Sequence, residues 1–158
     1  MTWEVSVKSL SSGVHGMGVF ASQNIEKGSV IWRVDSSMHF CDEAELRKYD
    51  NNKLHIALLS GYLHYQTGKF VWFEDGMQHM NHAPTGLANI YTPHHTELLD
   101  DCVVAAKPIN KGDELFEDYG YWNIFNLQHD HWLRRLYAES CPDHYMFMQY
   151  LADEAIAA

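Results

Sequence analysis

The chain has 158 residues, with 11 Lys and Arg against 21 Asp and Glu, a formal net charge of −10 at pH 7. That length suits a single domain, and 46% hydrophobic with 20% charged residues is a globular composition with enough apolar material for a core. The charge argues against direct nucleic-acid binding through phosphate contacts. It suits a basic protein or peptide partner, while an acidic surface also serves solubility alone.

Cys41, Cys102 and Cys141 are widely separated and form no Cys-x-x-Cys pair. Neither a disulfide framework nor a cysteine zinc site is indicated, and an intracellular location, cytoplasmic or nuclear, is expected. The opening residues lack a signal peptide's apolar run. No stretch approaches the ~20 apolar residues of a membrane span.

In chain order, residues 3–10 alternate with Trp3, Val5 and Val7 on one face, which predicts a half-buried strand. Gly16-Met17-Gly18, before Val19-Phe20-Ala21, marks a bend or a close approach to backbone. It lacks the third glycine of a dinucleotide-binding loop. Ile25-Glu26-Lys27-Gly28 is a turn before a strand at Val30–Val34, and Ile109-Asn110-Lys111-Gly112 repeats the phrase late in the chain. Asp42 to Tyr49 predicts a helix with Asp42 as N-cap and Glu45 at the capping-box position. A second helix runs from Lys53 to about residue 60. A hairpin follows, Tyr62–Tyr65 against Lys69–Phe73 around Thr67-Gly68.

Gln78 to Asn89 is a polar loop carrying His79, Asn81, His82 and Asn89. Strands at 90–92 and 101–106 flank a polar tip with His94-His95. Glu114-Leu115-Phe116-Glu117-Asp118-Tyr119-Gly120 is a strand end holding acids and a tyrosine. Alone, Tyr119 reads as a core tyrosine or as a polar tip aimed into a pocket. Tyr121–Ser140 and Asp143–Ala155 have helical spacing, with Trp132, Leu136 and Tyr137 on one face and Met146, Tyr150 and Leu151 on another. The C-terminal aromatics serve as helix core or as a homodimer face. The whole predicts a mainly β fold with added helices: residues 1–122 with a helical insert at about 42–60, then a helical extension at 123–158 packed on the same domain.

Metal and nucleophile signatures are weak. His94 and His95 are adjacent and would point to opposite faces of a strand. His129 and His131 are two apart in a helical stretch, and no His-Glu-x-x-His or Gly-x-Ser-x-Gly occurs. No metal is therefore assigned.

An ordered set of motifs does stand out: Gly16-Met17-Gly18, Ile25-Glu26-Lys27-Gly28, Tyr62 before a hairpin, Asn81-His82, Asn89, and Glu114 to Gly120. This order resembles the SET-domain protein-lysine methyltransferases over roughly residues 3 to 122. The resemblance implies small β-sheets around a knot-like core, S-adenosyl-L-methionine as cofactor, and methylation of a lysine ε-amine, often on a histone tail. By it, the backbone of Gly16, Met17 and Gly18 lies along the cofactor, Asn81 and His82 hold it, and Trp122 belongs to the same side. Tyr119 matches the catalytic tyrosine and Tyr62 a second channel tyrosine. Phe116, Glu117 and Tyr121 fall to the lysine channel. Methyl transfer to an amine is an in-line displacement that rewards positioning over a nucleophilic side chain.

Three departures stand beside the likeness. The Asn81-His82 loop lacks the family's Ser and Cys, no cysteine-rich module follows Tyr119, and Glu117 replaces the usual Phe or Tyr. A non-catalytic SET-like module that binds a peptide or partner is the alternative.

Overall fold

The structure, a computed structural model, describes residues 2–64, 66–84, 86–93, 102–122 and 124–157. The His94-His95 tip lies outside the described residues. The chain forms two compact units, each discontinuous in sequence: residues 1–38 with 74–118, and residues 39–73 with 119–158. The C-terminal helices therefore share a unit with the central insert. Among the described residues no helix is long and apolar enough to cross a membrane.

Among the described residues the first unit holds three small sheets. Strands β1 (Val7–Ser11) and β2 (Met17–Ala21) form an antiparallel pair. Strand β3 (Val30–Arg33) pairs antiparallel with β9 (Cys102–Ala105), which also pairs with β8 (Ile90–Tyr91). Strand β7 (Asn81–His82) runs parallel to β10 (Phe116–Glu117). The strand expected from residue 3 starts later, at Val7. Trp3 instead makes an isolated bridge to Trp32, and its indole N–H donates to the Asp75 carbonyl at 3.0 Å.

The two Ile-x-Lys-Gly phrases of the sequence pair with each other. Ile25 N donates to Ile109 O at 2.8 Å and Ile109 N returns to Ile25 O at 2.9 Å, both side chains being buried. The flanks repeat the relation. Gly28 N bonds Ala105 O and Ala105 N bonds Ser29 O, while Gly112 N bonds Ala21 O and Ala21 N bonds Asp113 O. Gly28 (φ 85) and Gly112 (φ 96) both take the left-handed conformation that their turns need and that a Cβ penalises.

Among its described residues the second unit has one antiparallel sheet, β4 (His39–Cys41), β6 (Phe70–Trp72) and β5 (Gly61–Leu63), in the order β4-β6-β5. The expected capping box is present: Asp42 Oδ1 accepts from Glu45 N at 2.8 Å, and Asp42 N donates to Glu45 Oε2 at 2.7 Å. The helix it opens, α1 (Glu43–Leu46), lasts one turn rather than reaching Tyr49. Helix α2 (Asn51–Leu59) starts two residues earlier than expected because Asp50 caps it, accepting from Lys53 N at 2.8 Å. The hairpin turns where the sequence places it, at Thr67-Gly68.

The long C-terminal helix expected from Tyr121 is broken. Residues 119–122 and 124–126 are short 3-10 turns, and helix α3 is Trp132–Ser140, followed by α4, Pro142–Ala157. Leu133, Leu136, Tyr137 and Met148 enter a core with Leu46, Leu54, Leu58, Phe70 and Trp72. The Tyr137 phenol donates to the Leu58 carbonyl, and burial pushes its pKa far above the usual value, so it remains a donor. The expected Met146–Tyr150–Leu151 face is out of phase: Leu151 packs inward, while Met146 and Tyr150 face solvent.

Helix α3 is capped by a histidine. His131 Nδ1 accepts from Leu133 N at 3.1 Å, which requires an unprotonated ring nitrogen. Burial lowers the His131 pKa, and His144, against Tyr137, is lowered likewise by burial and by His55. The unfolded chain then binds protons that the folded one does not, from about pH 6.5 downward, so these histidines stabilise the fold above that pH and lose the contribution on acidification. His131→Asn keeps an N-cap acceptor and removes one titration. Thermal melts between pH 5 and 7.5 should show a shallower pH slope for His131→Asn than for the parent; equal slopes would exclude His131.

Candidate functional site

The residues singled out by motif fall into both units. In the first, the Gly16–Gly18 segment, Asn81, Asn89 and Glu114 form one hydrogen-bonded cluster. Asn81 Nδ2 donates to His15 O (3.1 Å), Met17 O (3.0 Å) and Glu114 Oε1 (2.8 Å). Ser12 Oγ donates to the other carboxylate oxygen, Glu114 Oε2, at 3.0 Å, and itself accepts from Val14 N. Asn89 grips the strand on both sides of Leu115: its Nδ2 donates to Glu114 O and its Oδ1 accepts from Phe116 N, each at 2.8 Å.

The glycine pattern follows from this cluster. A Cβ on Gly18 would lie 2.1 Å from Glu114 Oε1, so the position admits no side chain while the carboxylate stays. At Gly16 a Cβ would meet nothing within 4 Å, and the Met17 side chain is exposed. The outer side of this segment is thus open backbone, pinned from within by the buried Asn81 amide.

The parallel pair β7–β10 sets the remaining first-unit residues. Phe116 lies opposite Asn81, and Glu117 opposite His82. His82 Nδ1 is 3.9 Å from Asp118 Oδ1, both half-buried. Glu117 is 3% exposed, and its Oε1 accepts from Thr92 Oγ1 at 2.8 Å. The carboxylate therefore sits in the interior of the first unit against a hydroxyl.

Tyr62 and Tyr119 belong to the second unit. Tyr62 lies in β5, buried, opposite Val71, with its ring 6.2 Å from that of Phe73. Tyr119 opens the 3-10 turn directly after Asp118 and packs, partly buried, against the core that holds Phe70 and Tyr137. Tyr121 and Trp122 share that turn. Three motif residues therefore contribute backbone, one contributes an amide committed to that backbone, and the tyrosines stand on different elements.

A family model for the SET domain matches residues 16–120. The chain belongs to the SET-domain family. Solved structures with the same fold include a Plasmodium falciparum protein named as a candidate histone methyltransferase (20% identity, TM-score 0.52), which the match covers over 75% of this chain and 96% of the other. A humanized mutant of the Chaetomium thermophilum Polycomb Repressive Complex 2 matches at 23% identity and TM-score 0.55, over 75% of this chain and 15% of that one. The Neurospora histone lysine methyltransferase DIM-5 matches at 18% identity and TM-score 0.52, over 75% and 53%. A search of curated proteins finds no match.

Within this SET domain, Glu114 is the residue that motif reading passes over. Its position in the Glu-Leu-x-x-Asp-Tyr phrase was visible, but its partners Ser12 and Asn81 are 102 and 33 residues away, and no spacing rule joins them. The glycine at position 18 was the available signal: a glycine inside a strand marks something approaching its Cα closely.

Gly18→Ala should cost about 2 kcal/mol through overpacking against the carboxylate. In a urea-melt double-mutant cycle, Glu114→Ala should absorb most of that cost, so that the double variant is more stable than the sum of the singles implies. Additive losses would mean that the two positions do not press on each other.

Proposed function

We propose that this protein is an S-adenosylmethionine-dependent protein-lysine N-methyltransferase that acts on a lysine in a basic protein segment, a histone tail being one such segment. The observation that carries the reading is the SET-family match over residues 16–120, within which the Asn81 amide holds the open Gly16–Gly18 backbone. That backbone suits an elongated ligand, since a Cβ at Gly16 would meet nothing within 4 Å and the segment is held in place from within by Asn81. The residues that would hold the cofactor are Gly16, Met17 and Gly18 with Asn81 and His82. When bound, S-adenosylmethionine supplies an electrophilic methyl group.

The chain's own task is to present a neutral amine. Apolar and aromatic surroundings disfavour a lysine ammonium and lower its pKa. Tyr62, buried beside Phe73, offers such surroundings. The Tyr119 hydroxyl orients the amine nitrogen, and the displaced proton passes to solvent. The net charge of −10 favours encounter with a basic substrate and makes the encounter rate fall with added salt.

Transfer of label from S-adenosylmethionine to a histone mixture should be detectable with the parent and should fall about 100-fold in Tyr119→Phe, a loss typical of a misplaced reacting group. Undiminished transfer by the variant would remove Tyr119 from this role. Calorimetry on the parent adds the decisive control: no binding heat at millimolar S-adenosylmethionine would overturn the enzyme reading in favour of a peptide-binding module.

A further inference from the structure

Helix α4 lies beyond the residues that the SET family model matches, and its outward face is unlike an ordinary solvated helix. Its inward face is well defined. Met148 is 4% exposed within the core, the Tyr145 ring lies 4.8 Å from Phe125, and His144 lies 5.7 Å from Tyr137. Leu151 packs on the same core. At 3.6 residues per turn, Met146, Phe147 and Tyr150 then share the other side. They are 62%, 42% and 58% exposed. The spacings 146–150 and 147–150 make neighbours on a helix surface, so these side chains form one patch rather than scattered apolar residues.

The charged side chains of α4 itself have one sign. Asp143 stands one turn before Met146 and Phe147, and Asp153 and Glu154 stand one turn after Tyr150. Helix α4 carries no Lys or Arg. A second copy of this chain seated face to face would set these carboxylates against each other, and like-charge juxtaposition at an interface is costly. Methionine and tyrosine give adaptable contact area to an apolar ridge, and the flanking carboxylates select cations beside it.

We propose that the outer face of α4 docks a basic amphipathic segment of the partner protein, apolar side chains lying on Met146, Phe147 and Tyr150 and lysines or arginines meeting Asp143, Asp153 and Glu154. The identity of that partner as the methylated protein rests on the function proposed above; the surface itself does not.

The test uses the full chain and three fluorescent synthetic peptides: a Leu/Lys amphipathic helix, the same peptide with every Leu replaced by Ser, and the same peptide with every Lys replaced by Glu. Anisotropy titrations at physiological ionic strength should show the Leu/Lys peptide binding about tenfold or more tightly than either control. Phe147→Ser/Tyr150→Ser and, separately, Asp153→Lys/Glu154→Lys should each weaken it by about tenfold, with unchanged thermal melts. Glu26→Lys, an exposed charge change in the other unit, should leave it unaltered. Equal binding of the Ser peptide, or equal loss with Glu26→Lys, would reduce the effect to unspecific charge and overturn the proposal. So would sedimentation of a dimer that Phe147→Ser/Tyr150→Ser dissolves, because a second copy would then own the face. No arm uses S-adenosylmethionine, so failure here and failure of the methyltransferase reading are separately visible.

Discussion

The reciprocal hydrogen bonds between Ile25 and Ile109 are the constraint from which the first unit follows. They join two segments 84 residues apart and bury both isoleucines, each worth roughly 1.5–3 kcal/mol of apolar burial. Closing so long a loop costs chain entropy, and the pair does not meet it alone. The symmetric bonds at Gly28, Ala105, Gly112 and Ala21 form in the same event, because each turn hands its glycine N–H to the strand before the other turn. Once closed, the pairing leaves the following residues little choice. Leu115 N reaches Val19 O, Glu114 bridges Phe20, and the Glu114 carboxylate arrives at the Cα of Gly18.

Function enters through what that arrival fixes. Under the proposed function, this segment would hold a ligand along its backbone, which asks that it be rigid without being covered. Glu114, Ser12 and Asn81 grip it from one side only, and Gly16 leaves the other side open. Bonds to a carboxylate are stronger than neutral ones, so a single acid can hold both the hydroxyl of Ser12 and the amide of Asn81. The Asn81 side chain is spent on protein carbonyls rather than held ready for a ligand. What it does for the segment is to fix its backbone, and an amide with two donors and a short reach suits that position.

What could be read from the sequence divides along the range of the interaction. The Asp42–Glu45 box and the Thr67-Gly68 hairpin are local and were legible, since their partners lie within a few residues. The duplication of Ile-x-Lys-Gly was legible as similarity; that the copies bond each other was not, because similarity carries no pairing information. The start of α3 was hidden since histidine is an unusual N-cap; here it caps through an unprotonated Nδ1, the form that burial favours. The face of α4 was misphased for a different reason: apolar residues occur nearly all round the helix, so periodicity could not say which side meets the core. Of the site, the glycines, Asn81-His82 and the tyrosines were visible as ordered motifs, while Glu114 acts through partners that only the fold assembles.

Glu117 shows how a departure from a family pattern is accommodated. The parallel register puts it opposite His82, and its carboxylate takes the Thr92 hydroxyl in a buried setting. An aromatic residue at 117, as the family pattern has it, would strand that hydroxyl, and an unsatisfied buried donor costs about 1–3 kcal/mol. The side chains at 92 and 117 are therefore coupled through that bond. Restoring an aromatic at 117 alone therefore tests local packing first, and changing Thr92 to valine at the same time removes the stranded hydroxyl from that comparison.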